Sequence, residues 1–186
     1  MISQTRKWQN SRLSKVTKFP EHLRIAGFDP GTASLGFAVL EKYGDGWQIL
    51  ACNSLHTEKN IPLEKRLLTL YSALRDVIHS YDPQVIACEE VYFNKNARTA
   101  FAVGSVIGVI LLLAAQAGLP VYMYSPVQVK MSVTGYGRAS KSQVQEMVAR
   151  LLKLPTVPKP DDAADALAIA FCHASSAKIK ELESDK

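Results

Sequence analysis

The chain has 186 residues, 47% of them hydrophobic, a net charge of +5 and three cysteines. That length suits one domain burying roughly two-thirds of its unfolded surface, while Cys52, Cys88 and Cys172 are too few and too scattered for a disulfide framework or a structural zinc site and fit a reducing compartment. The longest apolar stretch, 101–115, is shorter than a bilayer span and contains Gly104, Ser105 and Gly108, so it reads as a buried helix rather than a membrane anchor.

Residues 1–22 lack apolar periodicity and read as a flexible basic leader, with Arg6, Lys7, Arg12, Lys15 and Lys18 against Glu21 alone. An organellar transit peptide has the same composition. Arg24 to Asp29 is then a buried strand, and Pro30 disfavours helical backbone at the residue before it, so Asp29 is expected extended at the strand tip. Gly31 lets the chain turn back tightly. The result is a carboxylate at a strand end, suited either to capping its own turn or to a metal or phosphate beside it. A second strand follows from Leu35 to Lys42, and Gly44-Asp45-Gly46 forms a hairpin turn into a third from Trp47 to about Leu55.

Pro62 opens a helix in which Leu63, Leu67, Leu70, Leu74 and Ile78 recur at helical spacing until Asp82-Pro83. A fourth strand, Gln84 to Cys88, ends in Glu89-Glu90. From about Lys95 to Gly118 runs a long helix, apolar nearly all round, with Gly104 and Gly108 on one face where another backbone can pack closely. Such a helix must be covered on every side, in the middle of the fold or at a dimer seam. Leu119 to Tyr124 is a fifth strand, Pro126 to about Val133 a short helix, and Ser140 caps a helix to about Leu152. After Pro155, Pro158 and Pro160 a last helix runs from Asp161 to about Ala174, and residues 175–186 are expected to form a frayed polar tail. This order predicts an α/β fold around a five-stranded mixed sheet, the first three strands antiparallel and the last two parallel, with helices flanking it. The folded domain spans residues 23–174.

Four acids fall at comparable places. Asp29 ends one strand, Glu89 or Glu90 ends another, and Asp162 and Asp165 share a face at the start of the last helix. Asp161 suits the N-cap of that helix, and only one of Glu89 and Glu90 can face Asp29, since neighbours in a strand point oppositely. Between these acids, residues 91–160 hold Lys95, Arg98, Lys130, Arg138, Lys141, Arg150, Lys153 and Lys159 against Glu146 alone. A positive block bracketed by carboxylates suits a polyanion held against a metal site. Clustered carboxylates raise one another's pKa, and a pair of hard cations such as Mg²⁺ resolves the conflict while activating water for phosphodiester displacement.

Gly27-Phe28-Asp29-Pro30-Gly31-Thr32 with Gly36, Ala87-Cys88-Glu89-Glu90-Val91-Tyr92, Gln128-Val129-Lys130, Lys141-Ser142-Gln143-Val144 and Asp162-Ala163-Ala164-Asp165-Ala166-Leu167-Ala168 together resemble the RuvC family of Holliday-junction resolvases, over about residues 24–174. The resemblance implies a ribonuclease-H-like three-layer fold and a Mg²⁺-dependent endonuclease, with two ions per site and Mn²⁺ as a substitute. It also implies a homodimer, joined through the long apolar helix, that resolves four-way DNA junctions by paired nicks in recombination and repair. Asp29, Glu89, Asp162 and Asp165 fall on the family's four metal-binding carboxylates, Lys130 and Lys141 on basic residues near the scissile phosphate, and Tyr92 on an aromatic that stacks at the opened junction. Base stacking of that kind is worth ~1–3 kcal/mol. Lys95, Arg98 and Arg138 are the further candidates for DNA contact, and Lys141 for a catalytic role. A RuvA/RuvB branch-migration complex is an implied partner, and the bacterial cytoplasm the implied location, with an organelle as the alternative. The basic leader and Glu90 depart from the family pattern.

Asp-x-Gly-Thr also resembles the phosphate-binding turn of actin-like and sugar-kinase ATPases, but those proteins duplicate the domain and need roughly twice this length. Ser140 stands where a P-loop requires glycine before Lys141. An inactive junction-binding protein and a nuclease of the same fold acting on other branched nucleic acids remain as alternatives, and the four intact acids argue against the first.

Overall fold

The computed structural model describes residues 23–90 and 97–184. They form β1 (Arg24–Asp29), β2 (Ser34–Tyr43), β3 (Gly46–His56), α1 (Leu63–Tyr81), β4 (Val85–Glu89), α2 (Ala97–Ala117), β5 (Val121–Tyr124), α3 (Pro126–Thr134), α4 (Lys141–Leu151) and α5 (Asp161–Ser184). The leader, Tyr92 and Lys95 lie outside the described residues, and Arg98 falls in the first turn of α2. The sheet order is β3-β2-β1-β4-β5. β1, β2 and β3 pair antiparallel, while β4 pairs parallel with both β1 and β5. This is the mixed sheet that the element order predicts, in a ribonuclease-H-like arrangement.

The strand period of two divides the core into two layers. Ile25, Ala38, Leu40, Val85 and Ala87 pack with Leu167, Ile169, Val129, Val144 and Val148 on the side covered by α3, α4 and α5. Ala26, Phe28, Val39, Ile86 and Cys88 pack with Leu70, Leu74, Val106 and Ile110 on the side covered by α1 and α2. Asp29 and Glu89 continue the first set by parity, which sends both toward α5. The strand alternation thus decides between Glu89 and Glu90: Glu90 is exposed and its N–H donates to the Tyr124 carbonyl at 2.9 Å.

Helix α5 lies almost directly on the sheet. A Cβ at Gly36 would collide with the Asp162 carbonyl oxygen, and one at Gly27 would sit 2.8 Å from Ala170 Cβ. Facing these glycines, Ala163, Ala164, Ala166, Ala168 and Ala170 are all buried. Small residues on both partners bring the first two turns of α5, with Asp162 and Asp165, against the ends of β1 and β2.

Three expectations change. Helix α5 continues to Ser184, ten residues past its expected end at Ala174: Ala, Lys, Glu and Leu in that segment are good helix formers, and polarity alone does not end a helix. Asp161 is the first helical residue rather than the N-cap. The Pro160 carbonyl accepts from the Ala163 and Ala164 N–H groups, and the Asp161 carboxylate instead takes a 2.6 Å ion pair from Lys159. Helix α2 is as long as expected but is not buried all round within the single chain. Its segment Thr99–Ala117 has 19 residues of mean hydropathy 2.2, enough by length and composition to cross a membrane, and is 28% buried; the stretch 101–115 omitted the weakly polar ends that the helix includes. Val106, Ile110, Leu113 and Ala114 face inward against α1 and the sheet. Phe101, Gly108, Leu111, Leu112 and Ala115 form an exposed outer stripe.

Candidate active site

Asp29 stands at the last position of β1, paired in register with Gly36. Beyond it the turn is tight, because a Cβ at Gly31 would collide with the Ser34 carbonyl oxygen. The turn is braced from outside: Thr57 Oγ1 donates to the Thr32 carbonyl at 2.5 Å, and Arg66 Nε donates to Thr57 Oγ1 at 2.8 Å. Cys88 of β4 pairs with Phe28, so Glu89 ends its strand alongside Asp29. The carboxylates of Asp29, Asp162 and Asp165 lie within 4.8 Å of one another. Glu89 stands outside that trio but shares a cleft of about 200 Å³ with Asp29, Asp165, Lys130 and Lys141, floored by Val129, Val144 and Ile169.

The two lysine motifs divide their labour residue by residue. Ser125 and Ser140 cap α3 and α4 through complete capping boxes, with Gln128 and Gln143 as the reciprocal partners. Val129 and Val144 anchor those helices in the core. Lys130 and Lys141 are then left to line the cleft. Lys141 Nζ pairs with Asp165 Oδ2 at 2.6 Å. Arg138 is exposed on the connection between α3 and α4 and does not line the cleft.

Two further residues touch the acids without appearing among the sequence candidates. Ser34 Oγ donates to Asp162 Oδ2. Gln145, 6% exposed, donates to Asp165 Oδ1 at 3.0 Å and to the Asp161 carbonyl at 3.3 Å. A sequence signal existed for Gln145, which lies four residues after Lys141 and so on the same helix face; for Ser34 there was none beyond its place in the turn.

The acids crowd one another. Burial, then the charges of Glu89, Asp165 and Asp162, push the Asp29 carboxyl up to about 7, against a smaller opposing pull from Lys141. Burial and Asp165 raise Glu89 as well, with Lys130 and Lys141 opposing. Lys141 is itself raised, chiefly by its hydrogen bond to Asp165. Two lysines do not balance four acids in a partly buried cleft, which lacks counter-charge. With carboxylate oxygens and no sulfur or imidazole in the trio, the donor set suits a hard divalent cation rather than zinc or copper. The surrounding lysines suit an anionic substrate.

The family model for the crossover junction endodeoxyribonuclease RuvC matches residues 25–173. The RuvC of Desulforamulus reducens is 53% identical over 150 residues, covering 81% of this chain and 92% of that protein. Among solved structures, Thermus thermophilus RuvC matches with a TM-score of 0.78 and 36% identity, over 86% of this chain and 98% of that one. The same protein in complex with a Holliday junction substrate matches with a TM-score of 0.77 and 34% identity, over 84% and 96% of the two chains. Sheet order, acid placement and sequence identity converge, and the chain belongs to the RuvC family of crossover junction endodeoxyribonucleases, enzymes that hydrolyse DNA phosphodiester bonds with divalent metal.

Proposed function

We propose that this chain is a Holliday-junction resolvase in which Asp29, Glu89, Asp162 and Asp165 hold two Mg²⁺ ions, with Mn²⁺ as a substitute. The observation that carries the reading is the trio of carboxylates within 4.8 Å at the ends of β1 and α5, facing a cleft lined by Glu89 and two lysines. When bound, the ions supply the missing counter-charge, lower the pKa of a water and stabilise the leaving oxygen of an in-line displacement.

The chain's own residues do the rest. Asp29, a member of the trio whose carboxyl is pushed up to about 7 by burial and the acids around it, would serve both ions as a ligand. Lys130 and Lys141 draw the phosphate into the cleft, and Lys141, 54% exposed at its side chain, leaves Asp165 to meet the scissile phosphate. Arg138 contacts the backbone of the same duplex arm from outside the cleft. Tyr92 is assigned to stacking at the opened junction centre, Lys95 and Arg98 to DNA contact, and the basic leader to a DNA-contacting arm. The exposed stripe of α2, Phe101, Gly108, Leu111 and Leu112, meets its counterpart in a homodimer, which presents two sites to opposed strands. Three free cysteines fit the reducing bacterial cytoplasm where such DNA is found.

The test is nicking of a synthetic four-way junction against linear duplex of the same sequence, with Mg²⁺ and with EDTA. Paired symmetric cuts on the junction alone, lost in EDTA, are expected. Asp29→Asn abolishes them while junction binding stays within about threefold. Cleavage of the linear duplex at an equal rate, or full activity of Asp29→Asn, overturns the reading.

A further inference from the structure

Gln145 is the one buried side chain of α4 whose polar group meets the acidic trio. Its side-chain nitrogen carries two hydrogens, and the structure gives it two acceptors: Asp165 Oδ1 at 3.0 Å and the Asp161 carbonyl at 3.3 Å. Its orientation is fixed by chemistry, because turning the amide over would set the Gln145 oxygen against a carboxylate and a carbonyl, both acceptors. Asp161 and Asp165 are one helical turn apart on α5, so a single NH₂ group clips a backbone carbonyl of the first turn to the side chain directly below it. Lys141, one turn earlier on α4, takes the other oxygen of the same carboxylate at 2.6 Å. The two contacts differ in burial. Lys141 is half-exposed at its side chain and free to move to a phosphate, whereas Gln145 is 6% exposed and packs within the interface of α4 and α5.

We propose that Gln145 is a positioning residue for the nuclease reaction. It holds Asp165 Oδ1 so that Oδ2 remains turned into the cleft once Lys141 has left it. This rests on the reading of Asp165 as a metal ligand. A buried donor that orients a ligating carboxylate typically contributes 10- to 100-fold in metal affinity. A residue that merely satisfied its own burial would contribute nothing to metal affinity beyond its effect on folding.

The experiment is calorimetric titration of the full chain with Mn²⁺, without DNA, for the wild type, Gln145→Met, Asp165→Asn and the double variant. Methionine keeps the length and removes both donors. Gln145→Met is expected to weaken Mn²⁺ binding at least about tenfold, with its metal-free melting temperature within a few degrees of the wild type. In the Asp165→Asn background the same change is expected to have no further effect. If Asp165→Asn leaves Mn²⁺ affinity unchanged, the ligand reading fails; if Asp165→Asn weakens it and Gln145→Met does not, Gln145 alone loses its role. Equal losses from Gln145→Met in both backgrounds would show a purely structural effect and overturn the proposal. Should Gln145→Met not fold, the side-chain amide of Gln145 in the wild type is followed by NMR. Slow hydrogen exchange and a shift on Mg²⁺ addition are expected, and exchange as fast as a surface glutamine's overturns the assignment.

Discussion

A Cβ at Gly36 would run into the backbone of α5, while one at Gly104 or Gly108 would meet nothing within 4 Å. Both sets of glycines allow a close approach between backbones, but on opposite sides of the sheet and with opposite outcomes in the single chain. On the α5 side the approach is made, and it carries Asp162 and Asp165 to Asp29. On the α2 side it is left open, beside Phe101 at 68% and Leu112 at 53% exposure. The first contact builds a site within one chain. The second offers an apolar stripe of the kind that joins two chains, as the proposed homodimer requires.

Adding one methyl group to each side separates these roles most sharply. Gly36→Ala must push α5 off β2, and overpacking typically costs about 1–3 kcal/mol; loss of metal binding accompanies it, since Asp162 moves with the helix. Gly108→Ala leaves metal binding unchanged and stabilises the isolated helix by up to ~1 kcal/mol. Denaturant melts with and without Mn²⁺ measure both. If Gly36→Ala retains wild-type stability and metal affinity, the close packing of α5 is not what builds the site.

A charge on the open stripe has a smaller effect on the chain and a larger one on its assembly. Leu111→Glu is expected to leave the melting temperature of the monomer within a few degrees, because Leu111 is 46% exposed, and to shift sedimentation from dimer to monomer at micromolar concentration. Nicks then lose their pairing across the junction. Sedimentation as a dimer by this variant would place the partner contact elsewhere.

Much of the fold and of the acid placement is legible in the sequence. The strands and helices follow from alternation, helical spacing and proline punctuation; element ends place Asp29, Asp165 and the Glu89/Glu90 and Asp161/Asp162 pairs, and the family resemblance selects Glu89 and Asp162 within those pairs. Lys130 and Lys141 stood in motifs whose other members turn out to be caps and core. The rest was hidden for definable reasons. Gly27 and Gly36 read as strand residues, and their meaning depends on α5, more than a hundred residues later. Ser34 and Gln145 are ordinary polar residues until the fold brings Asp162 and Asp165 to them. For α2 the sequence leaves two covers open, the fold's own interior or a dimer seam, because composition shows that a helix is apolar, not which of its faces finds a partner in the same chain.

The pH dependence of stability also belongs to the site side of the sheet. Asp29 is raised from 3.8 to about 7 by burial and by the acids around it. In metal-free protein the folded state therefore binds a proton that the unfolded state has released, across the window from about pH 4 to pH 7. Its contribution to stability falls as pH rises through that window, and the penalty is fully present above about 7. Asp29→Asn removes the charge, so in EDTA the variant should melt above the wild type at pH 8, with the gap closing toward pH 5. Leu111→Glu, on the open side, should show no comparable closure. Mg²⁺ should invert the order of wild type and Asp29→Asn at pH 8, because the ions stabilise the four-acid site and not the variant. A gap that stays constant from pH 8 to pH 5 would mean that burial and the neighbouring acids do not raise the Asp29 carboxyl in the folded chain.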